Sequence, residues 1–158
     1  MLKMQIARPD ETGAVCTFFE EVIEALAGAQ YSPGWEKDIY PDRAMLEGYV
    51  QRGEMYTGEI SGRMACAVAV DGENSCMGIH LLAVHPAFRG RGLGKDMVAF
   101  AIGEARRRSM EKIRLDVTEG NLPAEKLYAS MGFAFVKSRR DWFTEDEFMD
   151  FREYEYRV

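Results

Sequence analysis

A short stretch rich in glycine and arginine, "RGRGLG" at residues 89–94, follows an apolar run and precedes a helical pattern. Glycines let several backbone N–H groups point into one concavity, and the N-terminus of a helix adds a partial positive charge. The side chains of Arg89, Arg91 and Lys95 bring full positive charges to the same place. This combination predicts a binding site for an anion, with a flexible turn carrying solvated arginines as the alternative.

The spacing excludes two well-known phosphate-binding loops. The Walker loop requires Ser or Thr directly after its lysine, and here Lys95 is followed by Asp96. The dinucleotide fingerprint requires GxGxxG, whereas Gly90, Gly92 and Gly94 are spaced by two. An anion held here must therefore be held by another type of loop.

The R-x-x-G-x-G arrangement of Arg89, Gly92 and Gly94 resembles the acetyl-CoA pyrophosphate loop of the GNAT N-acetyltransferase superfamily. Downstream, "EGNLPAEKLYASMGF" is similar to a second signature of that family, N-x-x-A-x-x-L-Y-x-x-x-G-F, and matches it at Asn121, Ala124, Leu127, Tyr128, Gly132 and Phe133. The resemblance implies a twisted mixed sheet whose central parallel strands splay apart and admit the pantetheine arm of acetyl-CoA.

The same resemblance implies which residues hold acetyl-CoA, the expected co-substrate. Backbone N–H groups from Arg89 to Gly94 would bind the pyrophosphate, with Arg91 and Lys95 as additional charges. On the preceding strand, main-chain groups would bind the pantetheine amides as an added strand does. Asn121 would contact the pantetheine arm, although an Asn before a helix is also a common N-cap. The cofactor-binding set is then Leu82, Ala83, Val84, Arg89, Gly90, Arg91, Gly92, Leu93, Gly94, Lys95, Asn121 and Tyr128.

Tyr128 resembles the family tyrosine that donates a proton to the sulfur of the departing CoA. The ordinary pKa is about 10 for tyrosine and about 8.5 for a cysteine-like thiol, so complete transfer would be uphill by about 2 kcal/mol. Stabilisation of the thiolate by a hydrogen bond requires no complete transfer, and this is the catalytic role that we expect. The alternative is a packing tyrosine with a satisfied hydroxyl.

The second catalytic candidate is His80, as a general base. An alkyl amine with a pKa of about 10 is almost fully protonated at neutral pH, so a proton must leave before attack. His80 lies on the strand that enters the loop, and alternation puts it on the same face as Leu82 and Val84 unless a bulge intervenes. Relatives often carry a carboxylate or histidine at the position of Gly78. A water chain and three carboxylates therefore remain alternatives, namely Glu119, Asp116 and Glu24.

The acceptor is expected between the irregular segment "QYSPGWEKDIY" and the loop "DWFTEDEF", if the chain follows its relatives. Aromatic and acidic groups there would suit a cationic amine or a lysine-bearing peptide, and the alternative is that the aromatic rings only close the ends of the sheet. The candidate substrate residues are Trp35, Tyr40 and Trp142, with Glu145 and Asp146 as nearby carboxylates.

The elements that must position these residues follow the order β-α-α-β-β-β-α-β-α-β-β. Helical spacing of apolar residues covers 11–27 and 92–108, and a shorter helix covers 41–52. The strand-like runs "EMYTGEI", "MACAVAVD" and "CMGIHLLAV" are separated by "SGR" and "DGEN", which predicts an antiparallel meander. "FAFVKS" and "FREYEYRV" are predicted as strands joined by an acidic, aromatic loop. We expect a mixed α/β (α+β) fold with the Ile79–Val117 unit as a right-handed parallel crossover, in one N-acetyltransferase domain over 1–158.

Composition limits the possible partners. With 158 residues the chain can bury a core without disulfides, and its net charge of −6 argues against nucleic acid or an anionic membrane as partner. Three scattered cysteines and the absence of a signal-like N-terminus favour a cytoplasmic protein without a metal site.

We therefore predict acetyl-CoA-dependent transfer to a small-molecule or peptide amine by direct attack. The alternative is an acyl-CoA-binding regulatory or sensor module without turnover. The C-terminal strand "FREYEYRV" could pair across a homodimer.

Overall fold

The computed structural model describes residues 2–158 apart from the side chain of Phe143, and it contains one mixed sheet with helices on both faces. The strands are β1 Met4–Ile6, β2 Met55–Ile60, β3 Arg63–Glu73, β4 Cys76–Val84, β5 Lys112–Thr118, β6 Ala134–Thr144 and β7 Glu147–Arg157. The α-helices are α1 Thr12–Leu26, α2 Arg43–Gln51, α3 Leu93–Arg107 and α4 Leu122–Ser130, and short 3₁₀ turns span Pro9–Glu11 and Pro86–Phe88. The predicted order of elements is confirmed.

The sheet runs β1-β2-β3-β4-β5-β7-β6, and only β4 and β5 are parallel. Their pairing is short: Cys76, Met77 and Gly78 pair with Lys112–Arg114, and the strands then separate. The splayed central pair and the antiparallel meander β2-β3-β4 are therefore as predicted. The separation leaves one backbone edge of β4 beyond Gly78 unpaired with β5.

Strand β4 contains a β-bulge at Leu81. Ala83 pairs with Ala67 and His80 pairs with Ala69, so Leu81 and Leu82 together face one residue of β3. The backbone of Leu81 is left-handed, with φ of 53°. A bulge of this kind leaves its extra residue outside the ladder and changes which face the following side chains occupy.

The bulge is the exception that the alternation prediction for β4 allowed, and it separates His80 from Leu82 and Val84. Before it, Ile79 packs in the core beneath α3; after it, Leu81 packs in the core beneath α1 and α2. Leu82 and Val84 then pack toward the α3 core, so they do not share a face with His80. The side chain of His80 lies on the face of the sheet that α2 covers.

The predicted loop between the last two strands is instead a long hairpin. β6 continues to Thr144 and β7 begins at Glu147, with a turn of two residues between them. Cross-strand pairs support the extension, since Arg140 forms an ion pair with Asp150 at 2.9 Å and Trp142 stacks on Phe148. The sequence prediction stopped the strands too early because acidic and aromatic residues alternate here without an apolar face.

Strand β7 also corrects the expected mode of dimerisation. It pairs with β5 along one edge and with β6 along the other, so its backbone has no free edge for a second chain. The free edge at this end of the sheet belongs to β6. A homodimer remains a prediction, but strand pairing through β7 is excluded.

Two hydrophobic cores lie on opposite faces of the sheet. α3 and α4 cover the larger one, which includes Met97, Ala101 and Tyr128, and α1 and α2 cover the other, which includes Phe19 and Leu46. Within residues 2–158, none of the helices combines the length and the apolar character that crossing a membrane requires.

Candidate active site

The anion loop, residues 89–94, connects the 3₁₀ turn after β4 to the first turn of α3. Gly90 and Gly92 both have φ of 78°, and Gly92 is the N-cap of α3. This left-handed geometry is one that glycine adopts without strain, which explains both glycines. Gly94 has a different reason, because a Cβ there would lie 3.2 Å from Cδ2 of Leu127 in α4. The third glycine therefore allows close packing of α3 against α4.

The backbone amides of this loop are available for a ligand. The first hydrogen bond at the start of α3 runs from the Asp96 amide to the Gly92 carbonyl, at 3.1 Å. Within the described part of the chain, no acceptor is bonded to the amides from Gly90 to Lys95. Unpaired amides at a helix N-terminus carry partial positive charge and suit a phosphate group.

His85 and Phe88 make the side-chain contacts that precede the anion loop and support it. The Ala87 amide donates to Nδ1 of His85 at 3.1 Å, so Nε2 of His85 carries the ring proton and donates to Glu21 at 2.6 Å. The guanidinium of Arg91 lies 5.2 Å from the centroid of the Phe88 ring. Both contacts fix the entry into the loop and orient positive charge beside it.

A cavity of about 280 Å³ opens where β4 and β5 separate. On one side is the α4 wall, formed by Asn121, Ala124 and Tyr128. On the other is the aromatic wall, formed by Pro33, Trp35, Tyr40, Trp142 and Phe151. The strands contribute the floor, which consists of Ile79, His80, Leu81 and Leu82 from β4 and Asp116, Val117 and Thr118 from β5.

The cavity brings together most of the residues predicted from the sequence. Tyr128, His80, Asn121, Leu82, Trp35, Tyr40 and Trp142 all line it. Ala83, Val84 and the loop residues Arg89, Gly90, Arg91, Gly92, Leu93, Gly94 and Lys95 lie outside its lining, along the end of β4 and the start of α3. The predicted cofactor set thus has two parts: Leu82, Asn121 and Tyr128 line the cavity, and the remaining residues lie beyond it along the chain from Ala83 to Lys95.

Tyr128 is buried between α4 and the sheet. Its ring packs edge-on against Phe133, with ring centroids 5.7 Å apart. No hydrogen bond joins its hydroxyl to another of the described residues, and the side chain lines the cavity. Burial raises the pKa of Tyr128 above its ordinary value, which keeps the phenol protonated. A protonated, unpaired hydroxyl at a cavity wall is a hydrogen-bond donor without an acceptor.

Asn121 occupies the N-cap position of α4 without capping it. Its side chain forms no hydrogen bond to the first turn of the helix, although the residue lies where a capping Asn is expected. The side chain lines the cavity instead. Of the two roles considered from the sequence, the geometry favours contact with a ligand.

His80 lies on the floor of the cavity, next to the bulge. Its Nε2 atom is 2.8 Å from Oδ2 of Asp71 on β3, and its ring stacks on Tyr49 of α2 with centroids 6.0 Å apart. The hydrogen bond from His80 lowers the pKa of Asp71 despite partial burial of the carboxyl. Burial, together with the negative charge of Asp71, raises the pKa of Tyr49 to about 12.

The aromatic wall is assembled by contacts that are distant in sequence. Trp35 packs against Phe19 of α1, with ring centroids 5.9 Å apart. The hydroxyl of Thr118 on β5 donates to the carbonyl of Pro33 at 2.9 Å, which ties the irregular segment to the sheet. Trp142 stacks on Phe148 at the tip of the β6–β7 hairpin, with centroids 3.6 Å apart.

Three charged side chains centred on Arg139 line the cavity together with the aromatic wall. Its guanidinium is bonded to Asp116 and, at 2.6 Å, to Asp141, and it lies 5.2 Å from the centroid of the Phe151 ring. Burial and the nearby Asp116 raise the pKa of Tyr40. Two carboxylates against one guanidinium leave this group with one net negative charge.

Several of these residues were missed by the sequence analysis. Arg139, Asp141, Thr118 and Asp71 carry no local signature. The contacts of Asp71 with His80, of Arg139 with Asp116 and of Thr118 with Pro33 join different parts of the chain, and Asp141 joins the site through Arg139. Of the rival bases, Asp116 lines the cavity whereas Glu24 and Glu119 do not. Glu145 and Asp146 form the hairpin turn outside the cavity lining, so Asp116 and Asp141 are the carboxylates at the site.

None of the three cysteines contributes to this cavity. Cys16, Cys66 and Cys76 lie outside its lining, and burial raises the pKa of the Cys66 thiol to about 11. Among residues 2–158, no group of three or more His, Cys, Asp or Glu residues is arranged to bind a metal ion.

Two curated relatives match parts of the chain. The ribosomal protein bS18-alanine N-acetyltransferase of Haemophilus ducreyi is 34% identical over 62 residues, which are 39% of this chain and 43% of that protein. The streptothricin acetyltransferase of Streptomyces lavendulae is 36% identical over 78 residues, 49% of this chain and 40% of that protein. The chain thus covers less than half the length of either relative.

A solved structure matches over nearly the whole chain. It is a protein of Salmonella typhimurium described as an acetyltransferase and solved with its cofactor acetyl-CoA. The TM-score is 0.75 at 16% identity, with coverage of 99% of this chain and 94% of the other. This likeness shows that the two proteins share a fold.

The matched region of the family contains both predicted motifs. The model of the acetyltransferase (GNAT) family matches residues 17–133. This range includes the anion loop, the splayed strands, α4 and Phe133, the last residue of the second motif. The chain belongs to the GNAT acetyltransferase family.

Proposed function

We propose that this chain, as one domain over residues 1–158, transfers the acetyl group of acetyl-CoA to a primary amine by direct attack. The observation that carries the proposal is the cavity at the splay of β4 and β5. It joins an unpaired tyrosine hydroxyl on the α4 wall to a histidine on its floor and an acidic, aromatic group opposite. The anion loop lies along the chain from this cavity.

In this proposal the anion loop binds the pyrophosphate of acetyl-CoA. The unpaired amides from Gly90 to Lys95 would donate to its oxygens, and Arg89, Arg91 and Lys95 would add charge. The pantetheine arm would lie along the free edge of β4 at residues 82–84 and pass Asn121, and the thioester would then reach the cavity.

Tyr128 would stabilise the departing thiolate by a hydrogen bond. Because burial raises the pKa of Tyr128, the proton stays on the phenol throughout the neutral range. The same shift makes complete transfer to sulfur less favourable, which supports a donor role without full ionisation. As charge develops on sulfur, a donor already in place lowers the barrier.

His80 would take the proton that the attacking amine loses. The nitrogen of a neutral amine forms the new bond to the carbonyl carbon, the carbon–sulfur bond breaks, and the electron pair leaves with sulfur. A main-chain amide at the Leu81 bulge can polarise the carbonyl oxygen at the same time. No cysteine is needed, and the raised pKa of Cys66 disfavours a thiolate route.

The acceptor would be a cationic amine. The aromatic wall offers ring faces, and the group of Asp116, Arg139 and Asp141 carries net negative charge. The names of the two relatives specify amine-bearing acceptors, a ribosomal-protein alanine and an antibiotic.

The direct test is release of free thiol from acetyl-CoA in the presence of a defined amine panel. The panel contains putrescine, spermidine, agmatine, L-lysine, streptothricin and a short peptide with an N-terminal alanine. We expect thiol release that depends on one amine and mass-spectrometric detection of its N-acetyl product.

Acetyl-CoA binding by calorimetry separates the proposal from the alternative of a sensor module. If acetyl-CoA binds, but neither acetyl-CoA nor a longer acyl-CoA releases thiol with any amine of the panel, the sensor module is favoured. Absence of binding would contradict both.

A further inference from the structure

The carboxylate of Asp71 occupies the space above Gly78. The two residues are directly opposed in the β3–β4 ladder. A Cβ atom at residue 78 would lie 2.3 Å from Oδ1 of Asp71 and 2.7 Å from Nε2 of His80. Both distances are shorter than the 3.0 Å that a Cβ atom keeps from a non-bonded neighbour, so any side chain at this position would displace the carboxylate, the imidazole or both.

The contact between Asp71 and His80 fixes the tautomer of the ring. The carboxylate is an acceptor only, because the hydrogen bond from His80 lowers the pKa of Asp71 and keeps it ionised. Nε2 must therefore carry the proton that it donates across 2.8 Å. Nδ1 is then the nitrogen with the free lone pair, and no described residue is hydrogen-bonded to it.

We infer that Asp71 is the positioning residue for His80, and that glycine at position 78 is required because it makes room for this carboxylate. The inference rests on the proposed role of His80 as base. Without Asp71 the imidazole could carry its proton on Nδ1, and Nδ1 would then have no lone pair with which to accept the proton of the amine. With Asp71, Nδ1 takes the proton of the amine, and the resulting imidazolium is stabilised by the carboxylate.

The other charged and titratable groups around His80 leave Asp71 as its direct partner. Tyr49 stacks on the ring and stays neutral, with its pKa raised to about 12. Glu54 is paired with Arg52 at 3.2 Å, and Asp116 is bonded to Arg139. Arg114 on β5 is paired with Glu153 at 2.8 Å.

The tautomer can be measured without knowing the acceptor. The chain has two histidines, so a long-range ¹H–¹⁵N spectrum contains two imidazole patterns, and His80→Gln assigns them. We expect the Nε2–H tautomer for His80 in the parent protein. The Asn oxygen can still accept from Nε2, so in Asp71→Asn we expect a weaker hydrogen bond, measured as a changed chemical shift of the Nε2–H proton. A predominant Nδ1–H tautomer in the parent, or an unchanged Nε2–H signal in Asp71→Asn, would overturn the inference.

Gly78→Ala provides a second variant that leaves both polar residues in place. It should disturb the His80 pattern as Asp71→Asn does. The matched control is Gly72→Ala on the neighbouring residue of β3, where the new methyl meets the terminal methyl of Met110, a flexible side chain. Loss of the pattern in both glycine variants, or in neither, would contradict the specific requirement at position 78.

Kinetics with the best amine of the panel connect the pair to turnover. Asp71→Asn should lower kcat about 10²-fold, leave the acetyl-CoA Kd unchanged, and move the acid limb of the kcat profile to lower pH because a negative charge is lost. Since the two residues act as one unit, adding Asp71→Asn to His80→Gln should cost nothing more. Unchanged kcat in Asp71→Asn, or full additivity, would refute the inference. Unchanged kcat in His80→Gln would instead refute the role of His80 as base.

Discussion

The anion loop and the aromatic wall differ in the groups that they offer to a ligand. The anion loop offers backbone amides, and its sequence requirement is for glycines that permit left-handed geometry and close helix packing. The aromatic wall offers side chains that residues 33–40, β5 and the β6–β7 hairpin supply separately. A backbone site constrains sequence locally, whereas a side-chain site can change its ligand without changing the fold.

This difference predicts separable phenotypes. Changes in the anion loop should alter affinity for acetyl-CoA and leave the acceptor KM unchanged. Changes in the aromatic wall should do the reverse. Tyr128 faces the cavity between the two and should alter turnover alone.

Outside the Asp71–His80 pair, the largest effect is expected for Tyr128→Phe, which removes the proposed donor to sulfur. We expect kcat to fall at least about tenfold with the acetyl-CoA Kd unchanged, since a general acid that transfers its proton completely contributes about 10²–10⁴-fold and a hydrogen-bond donor contributes less. Because the pKa of Tyr128 is raised, the parent enzyme should keep its donor as the pH passes 10 and lose it only above that. Steady-state kinetics and calorimetry measure both quantities.

The control is Tyr156→Phe, whose hydroxyl accepts from Arg106 at 3.3 Å outside the cavity lining. It should keep full kcat. Equal kcat values for Tyr128→Phe and the parent would remove the catalytic role of Tyr128.

Gly92→Ala should give the next largest effect. A left-handed residue with a Cβ costs about 1–2 kcal/mol, so the acetyl-CoA Kd should rise about tenfold while the acceptor KM stays constant. Gly103→Ala in α3 is the matched control, because nothing lies within 4 Å of its Cβ. That control should gain about 0.5–1 kcal/mol of unfolding free energy from helix propensity and bind acetyl-CoA normally. Equal Kd values for the two variants would contradict a backbone-built site.

Trp142→Ala tests the aromatic wall. An aromatic contact contributes about 0.5–1.5 kcal/mol, so the acceptor KM should rise about two- to tenfold while the acetyl-CoA Kd is unchanged. Phe148→Leu keeps an apolar neighbour beneath the indole and should have the smaller effect. A changed acetyl-CoA Kd in Trp142→Ala would show that the two regions are not separable.

His85→Ala should have the smallest effect on binding. It removes the acceptor of the Ala87 amide and the bond to Glu21, which should lower the free energy of unfolding by about 1 kcal/mol, the usual cost of a lost cap. Denaturant unfolding measures this. Glu21→Gln keeps an acceptor for Nε2 of His85 and should unfold close to the parent; equal losses in both variants would show that the Ala87 cap contributes nothing.

The sequence predicts local features of this molecule better than features that depend on distant contacts, as the contrast between the anion loop and the aromatic wall illustrates. The order of elements and the splayed pair were predictable because periodicity and two motifs are local, and the same motifs carry the predictions for the anion loop and Tyr128. Asp71 was missed because "DGEN" indicated a turn, whereas β3 continues to Glu73 and Asn74 and Ser75 make the turn. Arg139 was missed because its strand was expected to end at Ser138, before that residue. The Leu81 bulge has no sequence signal, since leucine rarely adopts a left-handed backbone.

A crystal structure of the protein with acetyl-CoA tests the central claim most directly. The account predicts the diphosphate within hydrogen-bond distance of the amides from Gly90 to Lys95, and the thioester between β4 and β5 beside the hydroxyl of Tyr128. A diphosphate bound elsewhere, or a thioester that does not enter the cavity, would contradict it.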